Sequence, residues 1–222
     1  MISIAIDGPS GAGKSTLSKK LAEKLGFIYV DTGALYRTVG LAVKRAGKET
    51  TSEKDTGGML PEIDLSMGYV EGVQRVFLAG EDVSEAIRAE EIGMAASNVS
   101  AYPAVRAFLL ETQQKMAREN NVIMDGRDIG TVVLPKATIK IFLTATVEDR
   151  SMRRYKQLLE SGIQADLEKV TQDVIQRDYN DSHRAAAPLA KAEDAVEVDT
   201  TGRNFEESFA MLYNLIQKKL GE

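Results

Sequence analysis

Residues 2–26, "ISIAIDGPSGAGKSTLSKKLAEKLG", decide the fold. The apolar run from Ser3 to Ile6 reads as a strand, and Gly8 to Ser15 matches G-x-x-x-x-G-K-[S/T] directly after it. Leu17, Leu21, Ala22 and Leu25 then recur at helical spacing until Gly26 stops the helix. Strand, glycine-rich turn and helix are the context a phosphate cradle requires. Glycines let backbone N–H groups turn inward around phosphate oxygens, and the helix N-terminus adds partial positive charge. On this reading Gly8, Pro9, Ser10, Gly11, Ala12, Gly13, Lys14, Ser15 and Thr16 hold nucleotide phosphates. Lys14 reaches the β and γ phosphates, and the Ser15 hydroxyl ligates Mg²⁺. A glycine-rich turn in a phosphate-free protein is the plainer alternative, and the full pattern in this context argues against it.

Working outward, Phe27 to Val30, Val122 to Met124, Ile139 to Leu143 and Ala195 to Val198 are compact β-rich runs, and Ala34 to Ala46, ended by Gly47, is a second helix. Alternating strands and helices predict an α/β fold, a five-stranded parallel sheet flanked by helices, with ligands outside the carboxyl ends of its strands. Two stretches break the alternation. Residues 63–83, "IDLSMGYVEGVQRVFLAGEDV", read as an antiparallel meander, so 63–100 is treated as an insertion. Glu148 to His183 is highly charged and helical in period.

Composition narrows the chemistry. A chain of 222 residues suits one core with additions, and no apolar run approaches the roughly 20 residues of a membrane helix. The apolar residues after Met1 lack a basic leader, which predicts no signal peptide and a cytoplasmic protein. With no Cys and a single histidine, His183, disulfide and zinc chemistry are disfavoured. A net charge of -5 argues against a nucleic-acid polymer as partner. The Asn-Lys-x-Asp base reader of guanine-binding switches is absent. A small chain with its own arginine-rich segment suits phosphoryl transfer to a small acceptor.

Four clusters could serve that acceptor or the transfer. In "VDTGALYR" (30–37), Asp31, Thr32, Tyr36 and Arg37 can converge on an anion; alternatively Asp31 or Thr32 caps a helix and Arg37 is solvated. "DGRDIG" (125–130) sets Asp125, Arg127 and Asp128 at the carboxyl end of a strand, Asp125 as the metal-side acid and the other two toward an acceptor. Arg150, Arg153 and Arg154 share one helical face, as a closing lid over phosphates or as a solvated basic face. Arg177, Asp181 and Arg184 fall at i, i+4 and i+7, forming either a polar wall for sugar and phosphate or a salt-bridged surface. His183 reads as a surface residue, and Met94 and the other methionines as core filler.

Taken in order, "IDGPSGAGKST", "DTGALYR", "AASNVSAYPAVR", "DGRDIGTVV" and "RDYNDSHRAAAPL" resemble segments of the bacterial cytidylate kinase family, of the nucleoside monophosphate kinase type. The resemblance spans nearly the whole chain. It implies ATP as donor, CMP and dCMP as acceptors, Mg²⁺ as the metal and a monomeric enzyme. It further implies a monophosphate-binding region over 32–102, including the β insertion from about 63, and a lid with its adjoining helices over 148–184. By position, Ser97, Arg106 and Asp128 resemble the readers of cytosine, Arg37 and Arg127 the holders of its 5'-phosphate, and Asp181 with Arg184 the contacts to its sugar. Thr32, Tyr36 and Arg177 join them as substrate contacts, while Lys14, Arg127, Arg150, Arg153 and Arg154 carry the charge of transfer. Thr32 stands where many relatives have Ser, and some relatives have Gly at the position of Ser15. The residues by themselves leave open a kinase of another small acceptor such as UMP, or a silent nucleotide-binding regulator.

Overall fold

Strand β1 (Ser3–Asp7) is apolar on both faces, with Ile4, Ala5 and Ile6 all fully buried, as a central strand covered by helices must be. It pairs in parallel with β6 (Val122–Gly126) on one side and β7 (Ile139–Thr144) on the other. β8 (Val196–Asp199) pairs with β7, and β2 (Ile28–Asp31) completes the five-stranded sheet in the order β2-β6-β1-β7-β8. The expected parallel sheet and its flanking helices are therefore present. The computed structural model describes residues 1–221, the side chain of Glu90 apart.

The chain falls into two compact units, one of residues 1–29 and 121–222, the other of residues 30–120. In the first, Leu17 and Leu21 of α1 (Lys14–Leu25) and Leu212 and Ile216 of α8 (Phe205–Gly221) join Ile4, Ile6, Ile141 and Leu143 in one core. Gly26 ends α1 in the left-handed conformation, its N–H bonded back to the last turn.

The second unit contains α2 (Thr32–Arg45), α3 (Glu53–Met59), α4 (Glu90–Ser100) and α5 (Pro103–Glu119), with its own core around Leu35, Val39, Ile87, Val99 and Leu109. α2 begins at Thr32, two residues before the apolar period suggests, because Asp31 caps it and accepts from the Ala34 N–H at 3.0 Å. A Cβ on Gly40 would stand 3.0 Å from the Cβ of Ala95, so glycine is what lets α2 approach α4 so closely. The predicted meander is present as the antiparallel strands β3 (Leu65–Val70), β4 (Val73–Leu78) and β5 (Glu81–Asp82).

The helical stretch from Glu148 to His183 resolves into two helices, α6 (Val147–Glu160) and α7 (Leu167–His183), separated where Gly162 takes a φ of 76° and Asp166 caps the second. Two expectations change in detail. Arg184 lies just past α7 in extended backbone, so it leaves the helical stripe of Arg177 and Asp181. Met94 is half-buried and, with Lys44, Thr50 and Asn98, lines a polar cavity of about 450 Å³ instead of filling the core.

Candidate functional site

The phosphate loop owes its shape to the backbone. Gly8, Gly11 and Gly13 all have positive φ, and a Cβ on Gly8 would fall 1.9 Å from the Leu143 carbonyl oxygen, so no other residue fits there without moving β7. Gly13 caps α1 with no side-chain acceptor, which leaves the first N–H groups of the helix directed at whatever anion the loop receives. Pro9, Ser10 and Ala12 contribute carbonyls that meet cations. Pro9 accepts from Lys14 Nζ at 2.7 Å, Ser10 from Arg150 Nη1 at 2.9 Å and Ala12 from Arg153 Nη1 at 3.5 Å. Thr16 sits exposed in the first turn of α1.

Lys14 is buried, and burial together with the nearby Arg127 pushes its amine down to about 7, against the opposing pull of Asp125, Asp181 and Asp7. Only the protonated amine attracts phosphate oxygens. Affinity of the empty loop for a phosphate anion is therefore expected to hold below about 7 and to weaken as pH rises beyond it, while a bound anion keeps the amine protonated further up. Nucleotide binding measured across a pH series checks this; an affinity that does not change through about 7 would remove the amine as the titrating group.

Ser15 Oγ donates to Asp125 Oδ2 at 2.9 Å, and the other carboxylate oxygen accepts from Tyr29 Oη at 2.8 Å. A hydroxyl and a carboxylate so paired are hard oxygen donors of the type Mg²⁺ uses when it keeps several waters and shares phosphate oxygens. Among the described residues no group of three or more His, Cys, Asp or Glu could hold a metal. The donor set fits a phosphate-borne Mg²⁺ and no dedicated protein cage.

The three arginines of α6 differ, although their spacing makes them alike. Arg150 is buried, ion-paired with Asp178 at 2.7 Å and bonded to the carbonyls of Ser10 and Ala145. Arg153 binds Thr200 through its hydroxyl at 3.1 Å and its carbonyl at 2.7 Å, which anchors it beside the loop. Arg154 turns along its own helix to Gln157 at 2.9 Å.

At the end of β6, Arg127 Nε donates to Asp181 Oδ2 at 2.6 Å. Burial works against both charges, but the pair, together with Asp125 and Asp178 around the guanidinium and Arg184 and Arg177 around the carboxylate, outweighs it, so the guanidinium is held protonated and the Asp181 carboxyl stays below its usual range. Asp128 is buried, with Arg184 Nη2 3.4 Å from its Oδ1, and Arg184 also stands 3.9 Å from Asp181. Half-buried Arg177 adds its positive charge to the surroundings of Asp181. Arg127, Asp128, Asp181 and Arg184 thus form one network. His183 is exposed and stacks on Tyr179 with ring centres 4.1 Å apart.

The unit of residues 30–120 holds the other candidates. Thr32 is buried in the first turn of α2. The Arg106 guanidinium lies over the Tyr36 ring at 5.5 Å and donates to the Ser100 carbonyl at 3.1 Å. Among the described residues of this unit four buried side-chain atoms make no hydrogen bond, Arg37 Nη1, Thr56 Oγ1, Ser97 Oγ and Gln113 Oε1, the first standing 3.7 Å from Asp31 Oδ2. Two of the four, Arg37 Nη1 and Ser97 Oγ, belong to residues read from the sequence as acceptor contacts, and a ligand there would satisfy them.

Sequence reasoning missed Asp7. It is the last residue of β1, buried, and its two carboxylate oxygens accept from the N–H groups of Ile129 and Gly130 at 2.8 and 2.7 Å. Those are the first residues of a wide, π-helical turn, Ile129–Val133, that follows Asp128 directly. The rule that drew attention to Asp125, a carboxylate ending an apolar strand, applies equally to Asp7. Asp178 and Thr200, the partners of Arg150 and Arg153, left no local signal.

Comparison with known proteins bears on all of this. The family model described as "Cytidylate kinase" matches residues 4–218. A protein named cytidylate kinase from Caldicellulosiruptor bescii is 48% identical over 98% of this chain and 96% of its own length. One of the same name from Leuconostoc mesenteroides is 46% identical over 98% and 97%. Among solved structures, an uncharacterized protein from Eubacterium ventriosum shares the fold, with a TM-score of 0.54 and 14% identity over 98% of each chain.

Proposed function

The chain belongs to the cytidylate kinase family, and from that premise we propose how its residues divide the transfer of the γ-phosphoryl group of ATP to CMP or dCMP. Residues 8–16 hold the donor phosphates, with Lys14 on the β and γ oxygens. Ser15 and Asp125 hold Mg²⁺, which when bound neutralises phosphate charge. Arg150 and Arg153 fix the loop through its carbonyls and lend it their charge, and Arg154 is the lid arginine that must leave Gln157 to reach phosphate. Residues 148–184 act as the lid.

For the acceptor, residues 32–102 form the monophosphate-binding region. Arg37 and Arg127 hold the 5'-phosphate, Ser97, Arg106 and Asp128 read cytosine, and Asp181, Arg184 and Arg177 meet the sugar. Thr32 and Tyr36 line the same contacts. The observation that supports this assignment is that two of the buried atoms without hydrogen bonds, Arg37 Nη1 and Ser97 Oγ, belong to a phosphate position and a base position of the proposed site. The attacking phosphate oxygen is already anionic, so the site needs alignment and charge and no strong base. We place the enzyme as a monomer in the cytoplasm; no helix among the described residues is long and apolar enough to cross a membrane.

The test is ADP formation from Mg-ATP with CMP, dCMP, UMP, AMP, GMP or no acceptor at equal concentrations. Turnover confined to CMP and dCMP is expected. If UMP matched CMP, the base readers would fall while the donor site stood. If no acceptor raised the rate above background, a regulator would replace the enzyme.

A further inference from the structure

Asp31 has more partners than a helix cap needs, and all of them lie within residues 30–120. One oxygen caps α2. The other, Oδ2, accepts from Arg88 Nη1 at 3.0 Å and stands 3.7 Å from Arg37 Nη1. The backbone of Asp31 is held as well, because Gln74 of β4 accepts from its N–H at 2.7 Å and donates to its carbonyl at 3.2 Å. β2 is an edge strand, so the Gln74 amide occupies the backbone groups that a neighbouring strand would otherwise take.

Two guanidiniums facing one carboxylate oxygen compete for it. Arg88 has the hydrogen bond; Arg37 has only ion-pair distance, on a buried nitrogen that makes no hydrogen bond. The Asp31 side chain is 7% exposed, so water screens its charge poorly. With Arg88 gone, Asp31 would turn its full attraction on Arg37. An incoming phosphate would then have to break that pair beside a carboxylate of its own sign.

We propose that Arg88 and Gln74 are positioning residues of the acceptor-phosphate site: Gln74 fixes the backbone at Asp31, and Arg88 occupies its carboxylate, which leaves Arg37 in place and uncommitted until an anion arrives. The inference rests on the assignment of Arg37 to the acceptor phosphate. It makes the β insertion part of phosphate recognition through two side chains, neither of which touches phosphate.

Steady-state kinetics with CMP and ATP test it by epistasis. Arg88→Ala, at a side chain 55% exposed, is expected to raise KM for CMP by about tenfold, with kcat and KM for ATP little moved. In an Asp31→Asn background, where asparagine still caps the helix, the same substitution is expected to change KM for CMP by less than about twofold. An Arg88→Ala effect of equal size in both backgrounds, or none in either, would overturn the proposal. Arg37→Ala tests the premise separately, since an unchanged KM for CMP there would remove Arg37 from the site whatever Arg88 does. Gln74→Leu is expected to speed hydrogen exchange at the Asp31 amide and to raise KM for CMP; faster exchange with KM unmoved would take Gln74 out of the argument.

Discussion

Lys14→Ala is expected to lower kcat/KM by about 10³-fold, or roughly 4 kcal/mol of transition-state stabilisation, with the fold intact. The structure explains why the loss falls on catalysis. The amine has one hydrogen-bond partner in its surroundings, the Pro9 carbonyl of its own loop at 2.7 Å. Burial already pushes it down to about 7, so its charge does little to hold the folded chain together. Its charge is available chiefly to an anion that enters the loop. Single-turnover rates and thermal melts of the same variant check the two halves of this statement, and near wild-type turnover would end the assignment.

Asp128→Asn is expected to cut discrimination between CMP and UMP by about 10²-fold, through a fall with CMP and a smaller fall or a gain with UMP. Cytosine presents an amino donor where uracil presents a carbonyl acceptor, and a buried carboxylate accepts from the first and opposes the second. The substitution also weakens the pairing with Arg184, 3.4 Å away, so a general loss of activity is part of the result. The ratio of kcat/KM for the two acceptors separates the effects. If both fall together, Asp128 anchors Arg184 and reads nothing.

Strand, loop and first helix were legible in the sequence because each is dictated locally: an unbroken apolar strand, glycines where φ is positive, and apolar residues at helical spacing. The meander was legible for the same reason, through the turn at Glu71 and Gly72, both with positive φ, that sets Val70 opposite Val73. Less was legible where distant residues decide. Spacing treats Arg150, Arg153 and Arg154 as equals, but Asp178 and Thr200 reach back from later elements to bind the first two and leave the third on Gln157. Period alone marked Glu148 to His183 as helical without placing its break, which falls after Glu160, where Gly162 takes a positive φ. At Asp31 the sequence set convergence on an anion against a helix cap beside a solvated Arg37. The cap is present, and the second carboxylate oxygen faces Arg37 and Arg88, a contact that spacing did not suggest.

The carboxylate of Asp7 sets stability against architecture. Burial raises it from 3.8 to about 6 despite the N–H groups of Gly130 and Ile129, with Asp128 adding repulsion and Lys14 relief. A carboxyl whose pKa is higher in the folded chain than in the unfolded one stabilises the fold while protonated, and that contribution is lost as pH rises through about 6. At neutral pH the ionised Asp7 therefore lowers the stability of the fold at the tip of its central strand. It is tolerated because the ionised group grips two amides at once and so pins the turn after Asp128.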